Sequence, residues 1–218
     1  MDRLISLFSL YDFLGYVVSG AAILVGSYWA FEGLPAEPGA ATTLALVVLS
    51  YAVGHAVQAV ATVWEGWFWR RSGIPSSNRM TPESPQAYKQ PLRELIDARI
   101  AEITGRRDLD AADAFGVARA QLRASQLDGR AELMNAMYGL CRGLATATGL
   151  LVPTCIAAAI VNDEWQRLLI GAAVMLGFAV LYLKRAQRYS YRFADQVWRD
   201  FAARHAGSDG ASGSEHRS

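Results

Sequence analysis

The sequence is poor in charge. Only 19% of its 218 residues are Asp, Glu, Lys or Arg, against about 25% in a typical soluble domain. Net charge is also nearly absent, at +1, so the basic excess of a dedicated nucleic-acid binder is missing. Cysteine is limited to two residues, which excludes a disulfide scaffold, and the 19 glycines follow no period, which excludes a collagenous chain. Cys141 and Cys155 lie on one predicted helix, about 21 Å apart by helical rise, too far to pair with each other. Histidine is scarce: His55, His205 and His216 form no metal-binding spacing. HExxH, GxSxG and phosphate-cradling glycine loops are all missing, so the reading is of a protein that is not an enzyme and needs no cofactor.

What the chain has instead is apolar length. Hydrophobic residues make up 52%, too many for a disordered chain. Phe13–Phe31 and Gly143–Val161 are uncharged runs of 19 residues, and Ala40–Trp64 is one of 25. Leu168–Leu183 is shorter, with Trp165 and Lys184 placed to anchor its ends at the two interfaces. About 20 helical residues cross about 30 Å of hydrocarbon, which predicts four transmembrane helices. The first run is too long for a cleavable signal, and no small-residue cleavage site precedes a soluble domain. EGLPAEPG (32–39) and Asn162–Arg167 are short turns, so the spans pair as two helical hairpins.

The expected fold class is an all-α membrane protein with a helical cytoplasmic insert and a C-terminal helix extension. Its segments are a first transmembrane hairpin (1–69), a cytoplasmic helical region (70–135), a second hairpin (136–183), an amphipathic helix (184–206) and a flexible tail (207–218). Of the 21 basic residues only Arg167 falls in a short turn, so both termini and the central region are expected in the cytoplasm, with the inner membrane as location. Arg142, at the start of the third span, is expected to snorkel toward that side.

Arg70–Gln90, with Pro75, Pro82 and Pro85, reads as a loop. From Pro91 the apolar residues Leu92, Leu95, Ile96, Ile100 and Ile103 share a helical face that Gly105 ends. A second helix is expected near Asp108, whose carboxylate suits a cap, and a third from about Asp128 into the third span. Lys184–Ala206 carries six basic and two acidic residues with apolar positions at helical spacing. Its arginines read either as anchors and packing residues or, at Arg185, Arg188 and Arg192, as contacts for anionic lipid or another anionic ligand.

The most informative polar residues lie in the second span. Tyr51, His55, Gln58, Thr62 and Glu65 recur at spacings of 4, 3, 4 and 3, on one face. A polar side chain in hydrocarbon needs a partner or water. The stripe therefore reads as interhelical glue, worth about 0.6–2 kcal/mol per contact, or as the lining of an ion path with His55 as a protonation switch. Asp12 reads as a helix-start residue or a partner for a juxtamembrane arginine such as Arg70 or Arg142. Gly15 with Ser19, Ala22 with Gly26, and Ala173 with Gly177 offer close helix approach. Pro153 is expected to kink the third span, and Trp64, Trp67 and Trp69 to form an interfacial belt.

The blocks YDFLGYVVSG (11–20), YAVGHAVQAV (51–60), YGLCRGL (138–144) and YRFADQVWRDF (191–201) resemble stretches of small membrane effectors from bacterial anti-phage defence operons. Ser19 stands where many such proteins carry proline. The resemblance implies a gated channel that breaches the inner membrane when a cytoplasmic regulatory partner, or a nucleotide or oligonucleotide signal, reports infection. Four short spans leave little room for a pore within one subunit, so a homo-oligomer is expected, with a tetramer as the first arrangement. The alternative is a noncatalytic anchor or scaffold that recruits a soluble partner through residues 70–135. A secondary transporter ranks third, since the chain is too short for two repeated halves.

Overall fold

The computed structural model describes residues 13–32, 39–125, 127 and 129–206. Every regular element among them is helical. A π-helical turn, Phe13–Val17, leads into α1 (Val18–Glu32). It is followed by α2 (Ala40–Ser72), α3 (Pro75–Met80), α4 (Gln90–Thr104), α5 (Ala111–Ala124), α6 (Gly129–Asn162) and α7 (Trp165–Ala206). Three of these, α2, α6 and α7, are long and apolar enough to cross a membrane. The 15 residues of α1 rise only about 22 Å, short of the hydrocarbon thickness, and reach 20 helical residues only with the π turn.

The chain divides into two compact units, 1–68 with 135–189 and 69–134 with 190–218. The first unit holds α1 and the apolar parts of α2, α6 and α7. Its helices meet through small residues. A Cβ on Gly20 would lie 1.8 Å from the Ser50 carbonyl oxygen, and one on Gly54 would lie 1.9 Å from that of Tyr16. Backbone therefore touches backbone where α1 crosses α2, and only glycine fits at either position. Ser19 is fully buried there, its hydroxyl donating to the Gly15 carbonyl at 2.6 Å. Gly26 leaves room for Leu151 on α6, and Gly171 on α7 for Trp29. A cluster of Ala30, Cys155, Ala158, Ala159, Leu168 and Ala172 completes this interior. Val57, Leu151 and Leu168 are buried with them, but many large apolar side chains lie outside, among them Leu44, Val48, Val63, Ile160, Val161, Ile170 and Leu176. Small residues inside and large aliphatic ones outside suit a hydrocarbon surround, which rewards close packing rather than burial of apolar area.

The second unit is built the other way. Ile96 and Ile100 of α4, Ala114, Ala118 and Leu122 of α5, and Val197, Trp198 and Phe201 of α7 form one apolar core. Trp198 is fully buried, and its indole N–H donates to the Ser76 carbonyl at 3.2 Å. Asp110 caps α5, accepting from the amides of Ala112 and Asp113 at 2.9 and 2.8 Å. Gly105, at φ 69°, closes α4 in the left-handed region that glycine tolerates. Charges rim this core. Asp195 accepts the Tyr88 hydroxyl at 2.7 Å and pairs with Arg79 at 3.3 Å and Arg199 at 2.9 Å. Burial and the hydrogen bond to Asp195 both push the Tyr88 phenol above its ordinary value.

Several boundaries differ from the sequence reading. Residues 70–90 are not all loop: α2 continues to Ser72, and Pro75, suited to a first helical position, opens α3. The α5 cap is Asp110 rather than Asp108, because the helix begins at Ala111; Asp108 pairs instead with Arg106 at 3.1 Å. Helix α6 continues through Pro153. Asp12, the turn at 33–38 and the tail at 207–218 lie outside the described residues.

Candidate functional site

The stripe on α2 splits in two. Gln58 faces inward and is 5% exposed. Its amide nitrogen donates to the Gly15 carbonyl at 2.8 Å and the Gly139 carbonyl at 3.1 Å. Its amide oxygen accepts from Arg142 Nη2 at 2.8 Å and Nε at 3.1 Å. Two donors and two acceptor sites are the whole capacity of a glutamine amide, so Gln58 is saturated. It ties the π turn before α1, α2 and α6 together. Gly143 makes this possible, since a Cβ there would lie 2.6 Å from the Gln58 amide nitrogen and 2.9 Å from the Ser19 Cβ.

Glu65, two turns on, pairs with Arg142 Nη1 at 2.5 Å and also accepts the Tyr138 hydroxyl. The guanidinium carbon of Arg142 lies 5.6 Å from the centre of the Tyr138 ring. Side-chain exposure is 15% for Arg142 and 19% for Glu65. Arg142 turns toward α2, where Gln58 and Glu65 engage all three of its nitrogens. Charged groups so placed are stable only as a set. Removing one partner leaves the other desolvated and uncompensated.

The rest of the stripe faces outward. Tyr51 is half-buried, whereas His55 and Thr62 are exposed. The His55 ring stacks on Tyr16, with centroids 4.0 Å apart and planes at 23°, and meets the edge of Tyr51 at 4.7 Å. The Thr62 hydroxyl donates to the Gln58 carbonyl at 3.0 Å, within its own helix. His55 has ring contacts but no hydrogen bond among the described residues. On the same exposed face lie Ala52, Ala59 and Gly66, at heptad-like spacing with His55 and Thr62.

Arg185, Arg188 and Arg192 are exposed along α7 and make no ion pair among the described residues. Trp64 of the expected belt donates its indole N–H to the Thr146 hydroxyl at 2.8 Å, and Trp67 is exposed. Of the small-residue pairs, Ser19 and Gly26 serve close packing, while a Cβ on Gly177 would touch nothing within 4 Å. Gly20, Gly54, Tyr138, Gly139 and Gly143 passed unnoticed as site-forming residues. Gly54 carried a signal, lying four residues after the small residue Ser50. No cluster of His, Cys, Asp and Glu among the described residues is placed to hold a metal ion.

The arrangement is thus a saturated charged network inside one unit and a polar, small-residue face outside it. Comparison with protein-family models, with curated proteins and with solved structures finds no match to this chain.

Proposed function

We propose that the chain forms a homo-oligomeric, ion-conducting pore in the bacterial inner membrane, tetrameric as a first arrangement. The Gln58–Arg142–Glu65 network holds it shut, and a cytoplasmic cue opens it. In this reading all four apolar runs span the membrane as two hairpins, with both termini and residues 70–135 in the cytoplasm. The chain does no catalysis. Its role is that of the anti-phage effectors which its four sequence blocks resemble, answering a regulatory partner or a nucleotide signal by breaching the membrane.

One observation carries the proposal. His55 is exposed midway along an apolar helix, with no hydrogen-bond partner for its ring nitrogens among the described residues. Lipid tails offer none, and an unsatisfied polar group in hydrocarbon costs several kcal/mol. Water along an axis shared by copies of the chain supplies the partner, with Ala52, Ala59 and Gly66 allowing close approach.

Ion flux through liposomes containing the purified chain tests this. Arg142→Met is expected to raise flux by releasing α2 from α6, and His55→Ala to alter it while leaving oligomer size unchanged by crosslinking. A monomer that carries no flux in wild type and in Arg142→Met would overturn the pore.

A second reading has support in the second unit, which has its own apolar core and a charged rim. A scaffold that recruits a soluble partner through residues 70–135 uses such a unit. It would bind that partner without flux in any variant.

A further inference from the structure

A groove of about 310 Å³ opens on the first unit between α2, α6 and α7. Val60 and Trp64 line one wall, Thr146 and Gly149 the floor, and Val180 and Leu183 the other wall. Its volume is at the lower end of the range for small-ligand sites, about 300–1,000 Å³. The lining is almost wholly apolar. The one hydroxyl there, on Thr146, is already engaged, accepting from Trp64 at 2.8 Å and donating to the Arg142 carbonyl at 3.0 Å. The groove therefore has no polar group left to orient a polar ligand and suits a hydrocarbon chain.

What stands at its end identifies the rest of the ligand. Val180 lies on the same face of α7 as Lys184 and Arg188, one and two steps of four residues further on. By helical rise these cations lie about 6 and 12 Å beyond Val180. Both are exposed and make no ion pair among the described residues. An apolar slot leading to two free cations at the boundary of the apolar run matches a molecule with an acyl tail and an anionic head.

We propose that this groove is a binding site for one anionic phospholipid. An acyl chain lies against Trp64 and Gly149, and the head-group phosphate rests on Lys184 and Arg188. A zwitterionic lipid such as phosphatidylcholine fits the slot equally well and brings a phosphate too, but its choline cancels that charge, so selectivity resides in the net charge of the head group. The inference needs the helices to be in a membrane and is independent of whether the protein conducts ions.

Trp64 reports on the site directly. The full chain is reconstituted in phosphatidylcholine vesicles containing a minor fraction of lipid brominated in its acyl chains, as either phosphatidylglycerol or phosphatidylcholine. Quenching is taken as the difference between wild type and Trp64→Phe. Brominated phosphatidylglycerol is expected to be preferred by up to about thirtyfold at low salt, the scale that two basic side chains supply near a membrane surface. That preference should shrink as salt is raised. Lys184→Gln with Arg188→Gln should abolish the preference yet keep the quenching. Gly149→Leu, where an added Cβ meets nothing within 4 Å, should fill the slot and reduce quenching by both lipids. Equal quenching by the two lipids in wild type, a preference that survives the double substitution, or quenching unchanged by Gly149→Leu would each overturn the proposal.

Discussion

The two units of this chain use opposite materials. In the first, the interior is mainly glycine, alanine and serine, with Leu151 and Leu168, around a saturated polar network, and most of the leucine, isoleucine and valine is on the exterior. In the second, Trp198, Phe201, Ile96 and Leu122 fill the interior and arginines and carboxylates occupy the rim. The difference is the one that hydrocarbon and water select. Water drives large apolar side chains inward at roughly 25 cal/mol per Å² of buried surface. Hydrocarbon gives no such drive, so the first unit depends on close backbone contact and internal hydrogen bonds. Each unit should therefore fail by a different kind of substitution.

The sharpest contrast is expected between Trp198→Ala and an equivalent truncation on the surface of α2. Trp198→Ala should cost the second unit about 3–5 kcal/mol and expose residues 69–134 to protease. Val63→Ala, on an exposed position of the first unit, should leave the melting temperature in detergent unchanged. Limited proteolysis and thermal unfolding of the two variants measure both effects.

The charged network gives the next largest effect. Arg142→Met should destabilise the first unit by about 2–3 kcal/mol, since Glu65 loses its counter-charge and the Gln58 oxygen loses both donors. Arg142→Met with Glu65→Leu should recover part of that loss, because the stranded carboxylate is gone too. A double variant less stable than the single one, measured by unfolding in mixed micelles, would break this account. Gln58→Leu should cost less, about 1–2 kcal/mol, since the Gly15 and Gly139 carbonyls each lose one donor while Gly15 keeps the Ser19 hydroxyl.

Smaller effects belong to the rim of the second unit. Asp110→Ala removes the α5 cap and should cost about 1 kcal/mol, read in the amide exchange of residues 111–114. Glu132 adds an acid-side dependence. Burial raises its carboxyl, but hydrogen bonds from Arg119 and Arg123 outweigh that and hold it below the usual glutamate value. The stabilisation is thus present at neutral pH and is lost as pH falls through the lowered value. Glu132→Gln should flatten the acid limb of the stability profile in proportion.

Much of this was legible from residue type and spacing. The all-helical class, the helices through 40–64, 143–161 and 168–183, and the face containing Ile96 and Ile100 follow from hydropathy and a 3.6-residue period. Prolines misled over 70–90, because Pro75 starts a helix as readily as it ends one. The inward turn of Arg142 was not legible. Near the end of an apolar run an arginine reads as a snorkelling cation, and only the tertiary structure shows Glu65 and Gln58 across from it as its partners.

The order of residues alone determined that this chain has helices suited to hydrocarbon and a charged helical region suited to water. Those properties depend on composition within one helix. Tertiary structure decided which polar groups of α2 are occupied and which are exposed. Gln58 and Glu65 on one side, and His55 on the other, differ by a small rotation about the same axis. The approach of α6, permitted by Gly143, determines which side of that rotation finds a partner.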